Sequence, residues 1–153
     1  MQTTLVILKP SAVQRNLVGE VINRFERKGL QIVGMKMVQL TEGVLEEHYS
    51  HLRDKPIYRR VADSMMVCPV IVMAIKGLEA VSVVRKLMGP TNGRNADPGT
   101  IRGDFCMSIQ ENIVHASDSA NAADIELRRF FNENEIFNYK QLTFANLYSG
   151  DEV

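Results

Sequence analysis

The sequence predicts an α/β (α+β) sandwich of split β-α-β-β-α-β type. Short apolar, β-branched runs alternate with segments of helical period. At 153 residues the chain suits one domain, taken as residues 1–153. Its apolar content of 45% and charged content of 24% are those of an ordinary globular protein. Each element has its own local signal. Thr4-Leu5-Val6-Ile7-Leu8 reads as a buried strand ended by Pro10. Val18, Val21, Ile22 and Phe25 mark the apolar stripe of a helix capped by Gly29. Ile32–Leu40 is a second strand. Thr41 is a candidate N-cap, with Glu42 following it in the first turn, and Thr41–Met66 is expected to be helical with a break near Pro56. Val70–Ile75 is a third strand, and Val81, Val84 and Met88 share one face of a short helix. Ile109–His115 is expected as the fourth strand. Ala123, Leu127, Phe130 and Phe131 line a last helix that begins near Ser119. The four strands are expected in one sheet with the helices on one face.

Composition excludes several function classes. Eighteen Lys and Arg balance eighteen Asp and Glu, whereas a protein gripping many nucleic-acid phosphates carries a basic excess. A nucleic-acid partner is therefore not expected. No apolar run approaches a membrane span, and the start of the chain shows no secretory signal. Cys68 and Cys106 form neither a CxxC pair nor a zinc spacing. Two reduced, buried thiols and a cytoplasmic location are expected.

Chemistry concentrates at the chain turns. Gly89–Gly103 holds four Gly, two Pro and two Asn in fifteen residues, an irregular stretch of the kind that carries function. His115 sits at a strand end, just before a helix. Neutral imidazole is a competent nucleophile toward phosphorus, and backbone N–H groups at helix starts favour anions. A histidine with a satisfied hydrogen bond fits the same position. Lys9 follows the first strand, Arg85 lies on the short helix before the Gly-rich stretch, Arg102 lies at the far end of that stretch, and Thr91 supplies a hydroxyl within it. Three cations, a hydroxyl and a histidine at turns fit a polyphosphate site. No P-loop or dinucleotide fingerprint is present. Glu126, eleven residues after His115, could fix the imidazole tautomer or be an exposed helix glutamate. His48 and His51, spaced i, i+3 without a third ligand nearby, read as a solvated helix face.

Four segments carry a resemblance: Leu8-Lys9-Pro10; Gly89-Pro90-Thr91-Asn92; Pro98-Gly99-Thr100-Ile101-Arg102-Gly103-Asp104-Phe105; and Asn112-Ile113-Val114-His115-Ala116-Ser117-Asp118-Ser119. Their order and spacing resemble the nucleoside diphosphate kinases from about Thr4 to Tyr139. The resemblance implies a ferredoxin-like core with an antiparallel four-stranded sheet, an inserted helical pair and a C-terminal helix. It also implies a ping-pong phosphotransferase that passes the γ-phosphate of a nucleoside triphosphate, such as ATP or GTP, through a phosphohistidine on His115 to a nucleoside diphosphate. Base and sugar specificity would be broad. Lys9 and Asn112 match residues at the ribose 3′-hydroxyl, with Lys9 also reaching the phosphates. Arg85, Thr91 and Arg102 match the phosphate set, and Tyr49, Ser117 and Glu126 match residues that support the histidine. Mg²⁺ would arrive with the nucleotide, held mainly by phosphates rather than by protein ligands. A cytoplasmic homo-oligomer is implied, and the tail through Asn146-Leu147-Tyr148 resembles hexameric rather than tetrameric members. A catalytically silent nucleotide-binding or interaction module on the same fold is the alternative; it would be expected to have lost the histidine or its cations. Three positions depart from the pattern. Ile57 stands where an aromatic residue normally underlies the base, with Tyr58 beside it. Ala116 replaces glycine, and Gly93 replaces proline.

Overall fold

The computed structural model describes residues 1–153. Its strands are β1 (Gln2–Leu8), β2 (Gln31–Val38), β3 (Val70–Gly77) and β4 (Val114–Ala116). Its helices are α1 (Pro10–Gln14), α2 (Val18–Arg27), α3 (Glu42–His48), α4 (Ile57–Met66), α5 (Ala80–Met88), α6 (Ile101–Phe105), α7 (Ala120–Phe130) and α8 (Phe144–Leu147). The sheet is antiparallel throughout, in the order β2-β3-β1-β4. The expected four-stranded ferredoxin-like core and the inserted pair, α3 and α4, are both present.

Local chemistry explains the main elements. Pro10 at the first position of α1 has the φ a helix start needs. Gly29, at φ +93°, closes α2: its N–H reaches the Glu26 carbonyl, and the Leu30 N–H reaches the Phe25 carbonyl. These are the paired bonds of a left-handed helix end, where glycine avoids a Cβ clash. Ser119 caps α7 by accepting from the Ala122 N–H at 3.1 Å.

β1 is apolar on both sides because both faces of the sheet are covered. Val6, Leu8, Ile71, Met73 and Ile75 pack with Val21 and Phe25 of α2 and Val84 of α5. Leu5, Ile7, Val72 and Ala74 pack on the opposite side with Leu45, Met65, Leu127 and Phe130. The single helical face expected from sequence is thus corrected to two. The insertion and α7 bury what would otherwise be an exposed apolar face, and each residue sealed there gains roughly 1.5–3 kcal/mol.

The fourth strand is corrected as well. It runs from Val114 to Ala116, not from Ile109 to His115. Ile113 sits at φ +55°, the left-handed region, where a β-branched residue is rare. The Val114 N–H turns back to the Asn112 carbonyl at 2.7 Å, so residues 109–113 cannot pair with β1. Ala116 lies within β4 and has no positive φ, so alanine replaces glycine there without strain. Gly93 rests directly on Cys106: an added Cβ would sit 2.4 Å from the Cys106 carbonyl oxygen. Both cysteines are free; Cys106 is buried and Cys68 is half-buried.

Candidate functional site

Antiparallel pairing of β1 with β4 sets Ile7 opposite His115 and Leu8 opposite Val114. The next residue, Lys9, donates its backbone N–H to the Ile113 carbonyl at 2.9 Å. One sheet end therefore carries Lys9, Asn112 and His115 together. They open onto a cleft of about 360 Å³, also lined by Tyr49, Arg85, Thr91, Arg102, Asp118 and Glu126. Of the ten site residues expected from sequence, eight line this cleft. Ile57 lies in the neighbouring one, and Ser117 is buried behind it.

The imidazole of His115 is 23% exposed, and its Nε2 is buried, 3.4 Å from Glu126 Oε1. Nδ1 is thereby left as the nitrogen on the cleft side. Ser117 donates its hydroxyl to Glu126 Oε2. Burial would raise the Glu126 pKa, but His115, Ser117 and His48 outweigh it and bring the carboxyl down to about 2. Glu126 is thus a fixed negative charge behind the ring, not an exposed helix residue.

The cations differ in how free they are. Arg85 is exposed, with no ion pair or side-chain hydrogen bond. Arg102 is 7% exposed and donates to the backbone carbonyls of Asn112 (3.2 Å), Gly89 (3.1 Å) and Val114 (2.6 Å). It ties the Gly-rich stretch to both sides of strained Ile113. Burial, with the charge of Arg85, brings its pKa down to about 10, so it remains a cation near neutrality. Burial and the charge of Arg102 lower Lys9 to about 8. Tyr49 is buried, and its hydroxyl is raised to about 12 by desolvation and by Glu126.

A second cleft, of about 460 Å³, adjoins the first and shares Lys9, Tyr49, Thr91 and Asn112 with it. Its apolar walls include Leu52, Ile57, Val61, Met65 and Ile109. Asn112 stands at the junction. Its Nδ2 donates to Thr91 O (3.1 Å) and Ile109 O (2.7 Å), while its Oδ1 is buried and unpartnered. A buried acceptor without a donor is costly, and a hydroxyl at that junction would satisfy it. A ligand with an anionic end, a hydroxyl-bearing middle and a flat apolar end fits the two clefts in that order.

His48 overturns the solvated-face reading. It is 7% exposed and packs its ring on His115 at 4.7 Å between centroids. Leu45 and His48, three residues apart, share the buried stripe of α3; that spacing was the available signal. His48, His115 and Glu126 bring their ligand atoms within 4.8 Å of one another. Two nitrogens and one carboxylate suit a borderline metal better than Mg²⁺, which prefers oxygen and keeps substrate ligands. Asp118 is the other carboxylate on the cleft, and with Glu126 it supplies fewer oxygens than a protein cage for Mg²⁺ needs.

The comparisons with known proteins agree with this architecture. Residues 2–136 match the family described as nucleoside diphosphate kinase. The chain belongs to the nucleoside diphosphate kinase family. It is 60% identical over 152 residues to a nucleoside diphosphate kinase of Parabacteroides distasonis, covering 99% of each chain. A Pyrococcus abyssi member is 47% identical over 141 residues, 90% of this chain and 89% of the relative. Among solved structures, a halophilic nucleoside diphosphate kinase from Halobacterium salinarum in complex with CDP aligns with a TM-score of 0.95 at 36% identity. The alignment covers 97% of this chain and 99% of that one. A family member from Babesia bovis aligns at 0.93, also at 36% identity, over 97% and 100%. The enzyme class is therefore that of a phosphotransferase acting on nucleotides, and no helix is long and apolar enough to cross a membrane.

Proposed function

We propose that the chain transfers the terminal phosphoryl group of a nucleoside triphosphate to a nucleoside diphosphate by way of His115. The observation that carries this reading is the imidazole itself: one nitrogen is buried against Glu126 and the other is left to a cleft lined by Lys9, Arg85 and Arg102.

The Nδ1 lone pair attacks the γ-phosphorus. A P–N bond forms as the bond to the bridging oxygen breaks, and the diphosphate leaves. The proton on Nε2 stays in place, so the ring gains a positive charge, which ionised Glu126 offsets across 3.4 Å. In the second half, a terminal oxygen of another diphosphate attacks the same phosphorus. The P–N bond breaks, and its electron pair returns to Nδ1. The two halves are chemically alike, so a single site serves both. The transition state is loose and needs positioning and charge more than covalent help. Arg85 and Arg102 supply charge at the phosphates, and Thr91 supplies a hydroxyl. Lys9 bridges phosphate and ribose, and Tyr49 walls the junction between the clefts. Asn112 Oδ1 accepts from the ribose hydroxyl. Ile57 and Ile109, on the walls of the second cleft, offer the base apolar contact alone, which grips any base and accounts for broad specificity. Mg²⁺ bound to the nucleotide would neutralise phosphate charge.

We read residues 1–153 as one domain of a cytoplasmic homo-oligomer, a hexamer rather than a tetramer. Exposed Met35 and Met37 on edge strand β2 are apolar surface that an assembly would cover.

Intact mass after incubation with ATP and Mg²⁺ tests the chemistry. One added phosphoryl group, removed by mild acid and mapped to His115, is expected. His115→Ala should abolish both the adduct and exchange while leaving nucleotide binding nearly intact. Wild-type exchange by that variant would falsify the assignment.

A further inference from the structure

We propose that His48 is a positioning residue: a neutral imidazole wedged between Arg129 and Glu126 that reserves Glu126 for His115. The inference rests on His115 as the phosphoryl carrier and adds what keeps its carboxylate partner available.

Arg129 follows Glu126 by three residues on α7, so the two share a helix face. A guanidinium that close would ordinarily clasp the carboxylate in a forked pair. It does not. Arg129 Nε goes to Glu47 Oε1 at 2.9 Å, and Nη1 lies 3.1 Å from His48 Nδ1. Arginine only donates, so His48 Nδ1 must carry a lone pair, and the neutral ring has its proton on Nε2. That Nε2 is buried and has no partner. His48 Nδ1 also lies 3.9 Å from Glu126 Oε1. The ring thus stands where Arg129 and Glu126 would otherwise meet.

The wedge is held firmly. Edge-to-face contacts fix it against Tyr49 (4.8 Å), His115 (4.7 Å) and Phe130 (5.3 Å). Its charged and titratable neighbours are Glu126 and Arg129 from α7, His115 from β4, and His51 beyond the end of α3. Burial first, then the charges of His115, Arg129 and His51, keep its pKa down at about 3. His48 therefore stays neutral near pH 7 and forms no ion pair with Glu126 there. Were Arg129 to reach Glu126, the carboxylate would be neutralised just where His115 gains charge.

Two substitutions separate this role from space filling. His48→Phe keeps a ring but offers Arg129 no acceptor. His48→Asn offers an acceptor with less volume. His48→Phe should lower kcat by about 10- to 100-fold, the usual effect of losing a group that orients a functional one. KM for the diphosphate should stay within about twofold. The ¹⁵N spectrum of His115 should lose its Nε2–H preference. His48→Asn should recover most of kcat, and His48→Phe/Arg129→Met should regain activity, because the competing guanidinium is gone. Wild-type kcat in His48→Phe overturns the proposal. So does an equal loss in both single variants, or a double variant no better than His48→Phe. If the wild type forms no acid-labile phosphoprotein, it is the reading of His115 that fails instead.

Discussion

Lys9 is the residue whose removal should stabilise the free protein while harming its function. Its pKa falls from 10.5 to about 8, through burial first and then the charge of Arg102. That is about 2.5 units (10.5 − 8), or about 3.4 kcal/mol at 1.36 kcal/mol per unit. The ammonium is half-buried and keeps some water, so about 2 kcal/mol is a fair expectation. Lys9→Met keeps the apolar stem without the charge. In the nucleotide-free protein at pH 7, the variant should melt about 4–8 °C higher, at about 2–4 °C per kcal/mol for this chain length. The sign follows from proton counting. Below pH 8, Lys9 is charged in both folded and unfolded chains, and the full cost is present. Between pH 8 and 10.5 the folded chain has released the proton and the unfolded chain has not, so wild-type stability rises with pH. The gap between variant and wild type should therefore shrink across that window and nearly vanish by pH 10.5. Saturating nucleotide should reverse the order at pH 7, and wild-type KM should rise above pH 8 as Lys9 discharges. Paired thermal melts with and without nucleotide at pH 7 and 10 make the measurement. A Lys9→Met protein no more stable than wild type at pH 7, or a gap independent of pH, would refute the reasoning.

Glu126→Gln removes a carboxyl held at about 2 in the folded chain against an ordinary value of 4.5. Wild-type stability from this group is complete above pH 4.5 and is lost as pH falls toward 2; urea midpoints at pH 7 and 3.5 should show less acid loss in the variant, together with much reduced exchange. Arg102→Ala strips the donor from three carbonyls at once, two buried and one half-buried, and at about 1–3 kcal/mol for each buried group left unsatisfied the melting temperature and turnover should both fall. Arg102→Lys should rescue neither, since one ammonium cannot span three carbonyls. Ile57→Phe should lower nucleotide KM about two- to tenfold, the worth of about 0.5–1.5 kcal/mol for ring stacking; an unchanged KM would mean that the base does not rest on residue 57.

Periodicity was enough for β1, α2, β3 and α7, because each has a continuous apolar signal and a local stop such as Gly29 or a cap such as Ser119. Lys9, Arg85, Thr91, Arg102 and His115 were legible as a candidate site because they cluster at turns, and Asn112 through a recognisable segment; all six line one cleft. The short β4 was not. Ile109 and Ile113 look like strand residues by composition, yet Ile109 walls an open cleft and Ile113 turns left-handed. A single dihedral held by Arg102 leaves no trace in apolar pattern. His48 escaped for another reason. Its i, i+3 partner His51 drew the eye to a polar face, whereas its true stripe-mate is Leu45. Its contacts with Arg129 and His115 come from residues far away in the sequence.

Several of the unsatisfied or strained groups of the free protein gather at the cleft, although Thr4 Oγ1 and Ser11 Oγ are unpartnered elsewhere. Lys9 carries a half-desolvated charge, Asn112 Oδ1 lacks a donor, Arg85 has no counter-ion, and Ile113 is strained. Lys9, Arg85 and Asn112 line one cleft, and Ile113 adjoins it. In a core, defects of this kind would cost stability with no return. Here each asks for a different part of one ligand: anionic oxygens for the two cations, and a hydroxyl for the amide. Ile113 has no demand of its own, but its turn aims Asn112 and His115 into the same cleft. Arg102 holds that turn from both sides, so the acceptor and the imidazole are placed before any ligand arrives. On the proposed reading, binding then needs little rearrangement, and the same cations face the phosphoryl oxygens over which charge is spread in the transition state. The conformational cost is met on folding, by the apolar packing of β1, α2 and α7, rather than in each catalytic cycle.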